Sequence, residues 1–147
     1  MNYSRNVFYS SIALVLFSLV GCNLGKTTKD QTSLAAKLTA KSEVPATTSH
    51  GQGTLKGEIN SKTSVLTWTI NYNDLSGPVT GAHFHGPALE GKNADVTVPI
   101  TGSLASPING TATLTTAQVK ELMEGKWYVN LHTAANPNGE IRGQITK

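Results

Sequence analysis

The stretch LTWTINY, residues 66–72, alternates apolar and polar side chains without a break: Leu66, Trp68, Ile70 and Tyr72 against Thr67, Thr69 and Asn71. Successive side chains of a strand point to opposite faces, so this period of two predicts a half-buried β-strand with Trp68 turned to the core. The same grammar recurs on both sides of it. Leu34, Ala36, Leu38 and Ala40 come before, with Leu55 and Ile59 around Gly57; Val96, Val98 and Ile100 come after. Thr111 to Leu114, then Trp127, Val129 and Leu131, then Ile141 and Ile145 complete the series. Nineteen threonines favour strands, and Asn73-Asp74, Ser76-Gly77-Pro78, Asn109-Gly110 and Asn136-Pro137-Asn138-Gly139 supply turn chemistry between them. One segment breaks the pattern. In TTAQVKELMEG, residues 115–125, Thr115 or Thr116 can cap a helix whose face carries Val119, Leu122 and Met123, and Gly125 ends it. The expectation is an all-β fold, a Greek-key antiparallel sandwich or partly closed barrel, with one short helix.

The N-terminal segment MNYSRNVFYSSIALVLFSLVGC does not belong to that fold. One cation, Arg5, precedes an apolar run from Val7 to Val20 that is short for a membrane span, and the run closes on Leu19-Val20-Gly21-Cys22. This ending resembles the bacterial lipobox, which implies a lipoprotein signal peptide over residues 1–21 and a Cys22 that carries lipid, palmitate among its acyl chains. The polar residues that follow predict a lipidated tether over 22–33, with one domain over 34–147 anchored to a membrane of the cell envelope. Asn23 rather than an aspartate follows the cysteine; by resemblance to enteric sorting this favours the outer membrane where the cell has one. Cys22 is the single cysteine, so the domain must be held by its core without an internal disulfide. The 12 basic and 9 acidic residues are spread along the chain with no basic stripe, which argues against nucleic acid as a partner.

Chemistry concentrates in the histidines. In GAHFHGPA, residues 81–88, His83 and His85 fall on one face of a strand, about 6.5 Å apart along it. Tyr128, Asn130 and His132 share the less apolar face of a later strand. If that strand lies beside the first, His83, His85 and His132 can converge on one ion with an open fourth position, a donor set that suits copper or zinc. The alternative is that histidines beside Gly86 and Pro87 brace loops through backbone carbonyls with no metal. His50, beside Gly51 in a Thr/Ser-rich loop, is a poor fourth ligand. No Gly-x-Ser-x-Gly elbow, phosphate-cradling glycine loop or calcium-loop spacing occurs. Two further expectations concern structure. The frame shared by Gly53–Ile59 and Gly139–Ile145 predicts neighbouring strands of one sheet. Glu140 and Arg142, two apart on one strand and so on one face, predict an ion pair by default, or else partners across the sheet.

AHFHGPALEGKNADVTVPI, residues 82–100, and WYVNLHTAANPNGEIRGQI, residues 127–145, together with the opening LTAKSEVP, closely resemble the CHRD domain, and the resemblance spans Leu34 to Lys147. It implies an extracytoplasmic all-β module with no well-established general activity. More distantly the chain resembles the copper-zinc superoxide dismutases. In that resemblance His83 and His85 match a copper-binding pair, His132 a later ligand, and Arg142 an arginine that contacts the anionic substrate. The departures argue against a binuclear dismutase: there is no bridging histidine, no second histidine set with an aspartate for zinc, and no cysteine pair. Three functions therefore stand side by side: a module that holds copper or zinc, a metal-free structural or protein-interaction module of the envelope, and a copper-only dismutase-like enzyme.

Overall fold

The computed structural model describes Met1 and residues 30–147. The rest of the expected signal segment, Cys22 and most of the tether lie outside the described residues. The elements are β1 (Gln31–Thr39), a single 3-10 turn (Ala40–Ser42), β2 (Gln52–Asn60), β3 (Val65–Asn73), β4 (Val79–His85), β5 (Val96–Pro99), β6 (Ile108–Thr113), α1 (Thr116–Met123), β7 (Tyr128–Thr133) and β8 (Ile141–Gln144). All strands join one antiparallel sheet in the order β5-β4-β7-β8-β1-β2-β3-β6. The neighbours β4–β7, β8–β1 and β3–β6 are not consecutive in the chain, so the connections cross between the two halves of the sheet, as the Greek-key expectation requires.

The sheet is rolled, and its aromatic side chains prove it. Four strands separate β3 from β4 in the sheet order. At about 4.8 Å per strand, a flat sheet would hold their side chains roughly 24 Å apart. Yet the rings of Trp68 on β3 and Phe84 on β4 meet edge to face at 4.9 Å between centroids, and Phe84 reaches Trp127 at 6.4 Å. The interior they fill is lined by the predicted alternating positions, among them Leu38, Ile59, Ile70 and Leu131, each fully buried. Full burial of one such side chain contributes about 1.5–3 kcal/mol. The result is a barrel that closes except between the edge strands β5 and β6. Its thinnest junction is β8–β1, where Thr39 pairs with Arg142 and a lone bridge joins Ala35 to Thr146. The helix forms where expected. Thr115 accepts from the Gln118 N–H, the Gln118 side chain reciprocates on the Thr115 N–H, and Gly125 leaves the helix at φ +71°.

Three expectations need correction. The first strand begins at Gln31, not Leu34, because Gln31, Thr32 and Ser33 pair with Asn60, Ile59 and Glu58. The two strands of the shared glycine frame are not neighbours; β1 runs between β8 and β2. Asn109-Gly110 is not a hairpin turn but lies inside β6. The cause is Trp68. In register across the sheet, Leu34, Gly57, Trp68 and Gly110 form one row, and a Cβ on Gly110 would overlap the indole, coming within 2.5 Å of its Cε2. The ring occupies the space that a side chain at 110 would need, so glycine serves there as a packing partner and not as a turn former.

Trp68→Ala is therefore expected to destabilise the domain by about 3–5 kcal/mol, and Gly110→Ala by about 1–3 kcal/mol through overpacking. In urea unfolding, Gly110→Ala should cost markedly less when introduced beside Trp68→Ala than alone. Strict additivity of the two would show that the ring does not rest on Gly110.

Candidate metal centre

Strand β4 alternates Ala82 and Phe84 into the core with His83 and His85 outward, and β7 alternates Val129 and Leu131 inward with Tyr128, Asn130 and His132 outward. The two strands are direct neighbours, with His83 opposite Asn130, His85 opposite Tyr128 and Gly81 opposite His132. This register gathers the three predicted histidines on the outer face of the barrel. Their ligand nitrogens all lie within 4.8 Å of one another, and His83 Nδ1 stands 3.1 Å from His132 Nε2. Three nitrogens at ~2.0–2.1 Å from one tetrahedral ion lie about 3.3–3.4 Å apart, so closing a separation of 4.8 Å takes a movement of about 1.5 Å. His50 is exposed in the β1–β2 connection, apart from this group.

The hydrogen bonds around the rings fix their chemistry. His85 Nδ1 faces the Ala94 carbonyl at 3.0 Å and His132 Nδ1 faces the Pro137 carbonyl at 2.9 Å. A carbonyl only accepts, so both Nδ1 atoms carry the proton and both Nε2 atoms keep a lone pair when the rings are neutral. Those two Nε2 atoms point to a single atom, Asn130 Oδ1, each at 3.0 Å. Oδ1 is also an acceptor. Only His83 Nδ1 can bring a proton into this cluster, where acceptors outnumber donors, and a cation satisfies that arrangement. A proton is disfavoured as that cation: burial lowers the pKa of His83, helped by the nearby His132 and His85 charges. Burial likewise lowers His85, with His132 and Arg142 adding to it and the bonds to Ala94 and Asn130 opposing.

Sequence reasoning placed Asn130 on the right face but gave it no role, and it met Glu43 only inside LTAKSEVP, without a role of its own. The 3-10 turn after β1 folds the chain across the outer face and brings Glu43 to Asn130 and Arg142, where it is 7% exposed. Burial raises its carboxyl to about 7, against the Arg142 charge and hydrogen bonds from Asn130 and the Val44 backbone. Glu43, Asn93, Tyr128 and Asn138, with His85 and His132, line an adjoining cavity of about 400 Å³.

A family model described as CHRD domain matches residues 34–145. The chain belongs to the CHRD family. No curated protein and no solved structure matches it. Membership suggests an extracellular module, and in this CHRD domain the centre stands on two polar anchors that the sequence led one to expect as partners of each other.

Glu140 and Arg142 do not pair. Fully buried Glu140 receives the hydroxyls of Ser49, Ser76 and Thr133 and the Ser76 N–H, so one carboxylate ties together three connections. Arg142, 2% exposed, lies 3.3 Å over the Tyr128 ring and donates to Asn93 Oδ1 and the Lys92 carbonyl. The expected anion contact is thus a guanidinium committed to the 86–95 connection, whose Ala94 carbonyl in turn orients His85. Four neutral donors outweigh a mobile cation as company for Glu140, because they also satisfy both of its oxygens.

Burial raises the Glu140 pKa, but the bonds from Ser49, Ser76 and Thr133 outweigh it and hold the carboxyl at about 2. Between that value and the unfolded value near 4.5 the folded state binds fewer protons than the unfolded chain. Its stabilisation is therefore complete above about pH 4.5 and is lost as pH falls toward 2. Glu140→Gln is expected to lose on the order of 2 kcal/mol at neutral pH and to flatten the acid limb of the stability curve. Thermal melts of both forms from pH 2 to 7 measure this, and parallel acid limbs would refute it.

Proposed function

We propose that this CHRD domain holds one copper or zinc ion at the cell envelope through His83, His85 and His132, as a membrane-tethered lipoprotein. The observation that carries the reading is the convergence of two Nε2 lone pairs on one side of a pair of strands, each with its Nδ1 pinned to a backbone carbonyl. Carbonyl or carboxylate partners on the far nitrogen are what orient metal-ligating histidines. Three protein ligands leave a fourth position open, and the cavity lined by Glu43, Tyr128 and Asn138 adjoins it. Buffering or delivery of the ion, including to a protein partner of the envelope, fits an exchangeable position better than a closed structural site does. The tether rests on Leu19-Val20-Gly21-Cys22, and Asn23 favours the outer membrane in a cell that has two.

One observation favours a second reading. Each of the three rings also has a protein partner, so the histidines can brace the 86–95 and 133–140 connections in a metal-free structural or interaction module. Titration of the purified protein with zinc and with copper separates the two. The metal reading expects about one ion per chain, a loss of more than about tenfold in affinity for each of His83→Ala, His85→Ala and His132→Ala, and little change for His50→Ala. Binding weakens as pH falls through about 6.5 and below, since an imidazolium cannot coordinate. Absence of uptake, or an equal effect of His50→Ala, would leave the bracing role. Consumption of superoxide by the copper-loaded protein would be needed for the enzyme reading. Intact mass of the membrane form tests the anchor: a mature chain beginning at diacylated Cys22 supports it, and an unmodified cysteine rejects it.

A further inference from the structure

We infer that Glu43 is a positioning residue of the histidine centre: it dictates which atom of the Asn130 side chain faces His85 and His132, and so keeps their lone pairs open to a metal ion. The inference rests on the three-histidine reading above and extends it to a residue outside the ligand set.

An asparagine amide has an accepting end and a donating end, and its surroundings decide which way it lies. On one side of Asn130 are His85 Nε2 and His132 Nε2, both 3.0 Å from Oδ1. On the other side is the Glu43 carboxyl: a Cβ on Gly139 would meet both Glu43 Oε1 and Asn130 Nδ2, so the NH2 end of the amide lies toward the carboxyl. A carboxylate only accepts, so it holds Nδ2 on its own side and leaves Oδ1 to the histidines. The reverse orientation would point the two Nδ2 hydrogens at the two Nε2 lone pairs. That would be a well-satisfied cluster in the metal-free protein, and one in which an ion would have to displace hydrogen bonds to reach its ligands.

The packing around Glu43 is consistent with a specific demand for it. Its Oε1 is buried without a hydrogen-bond partner, a costly state for a carboxyl with no compensating role. Among the described residues the ion pairs within 4 Å join Lys120 and Lys126 to Glu124, none of them near Glu43. Room for the carboxyl comes from Gly139, whose φ is +121° and where a Cβ would overlap Oε1 and approach Asn130 Nδ2 to 2.9 Å. The 3-10 turn, the glycine and the asparagine thus form a mould around a carboxyl that is hydrogen-bonded to none of the three rings. Either protonation state of Glu43 retains an accepting oxygen, so the device does not depend on the carboxyl's charge alone.

Two variants and two readouts test this. Glu43→Met removes the acceptor at similar length, while Glu43→Gln keeps an acceptor oxygen and the shape. In zinc titrations at pH 8, Glu43→Met is expected to weaken affinity about 10–100-fold, the usual effect of losing an orienting partner, with Glu43→Gln recovering most of it. In Glu43→Met, Asn130→Leu should add little or restore affinity, since the flipped amide is then gone. Nitrogen-15 NMR of the metal-free protein reports the orientation independently of any metal. His85 Nε2 should have the shift of a free imine nitrogen in the parent and move to that of a hydrogen-bonded acceptor in Glu43→Met. Parent and Glu43→Met proteins with equal zinc affinity and the same His85 Nε2 shift would overturn the inference. A parent that takes up no zinc would overturn the metal reading instead, and the NMR comparison would still decide the role of Glu43.

Discussion

A sheet of eight strands becomes a barrel only when side chains from its distant strands fill one interior, and here that constraint falls on the meeting of Trp68 with Phe84. Phe84 sits between His83 and His85 on β4, so turning this ring inward turns both histidines outward by the two-residue period of the strand. The contact that closes the barrel is thus also the contact that presents the ligands. With Cys22 as the single cysteine, no disulfide shares this task. The row Leu34, Gly57, Trp68 and Gly110 shows what the closure demands: a large ring, flanked by glycines, lying across the backbone of its neighbour.

On the outer face the organising factor is a surplus of acceptors. Backbone carbonyls take up the Nδ1 protons of His85 and His132, an amide oxygen faces both Nε2 atoms, and burial lowers the pKa of His83 and His85. Around this pocket the polar anchors divide their work. Arg142 holds the 86–95 connection by its hydrogen bonds and lies on Tyr128, which is itself stacked with His85 at 4.7 Å. Glu140 holds the connections at Ser49, Ser76 and Thr133. Arg142 lies in β8, the strand paired with β1, and Glu140 immediately precedes that strand, so the centre is braced from the side where the barrel is most thinly paired.

Alternation made the strands legible, and the capping residues made the helix legible, because both are local patterns. The three histidines were legible as well, since a shared face needs only the parity of the strand positions. What escaped the sequence depended on partners distant in the chain. Asn109-Gly110 has the chemistry of a turn, and only the indole of Trp68, some forty residues earlier, makes it strand. Glu140 and Arg142 have the spacing of an ion pair, and only the folded loops supply the hydroxyls and carbonyls that separate them. Glu43 stood in the LTAKSEVP stretch without showing a role, because its meaning arises from the chain folding back over β7 and β8 after Thr39.

The direction of β1 has a consequence for presentation. Gln31, where the strand begins, pairs with Asn60, and the nearby Ala35 bridges to Thr146 close to the C-terminus. Thr39, where it ends, pairs with Arg142, which is in register with Asn130 and through it with His83. Eight residue steps at about 3.3 Å place the histidine end roughly 26 Å along the strand from the point where the preceding chain enters. Whatever surface holds that preceding chain, the chain enters the barrel toward one pole and the imidazoles lie toward the other. A leash at the N-terminus would therefore hold this domain like a lamp on a stalk, its histidines directed away from the attachment and toward whatever diffuses past.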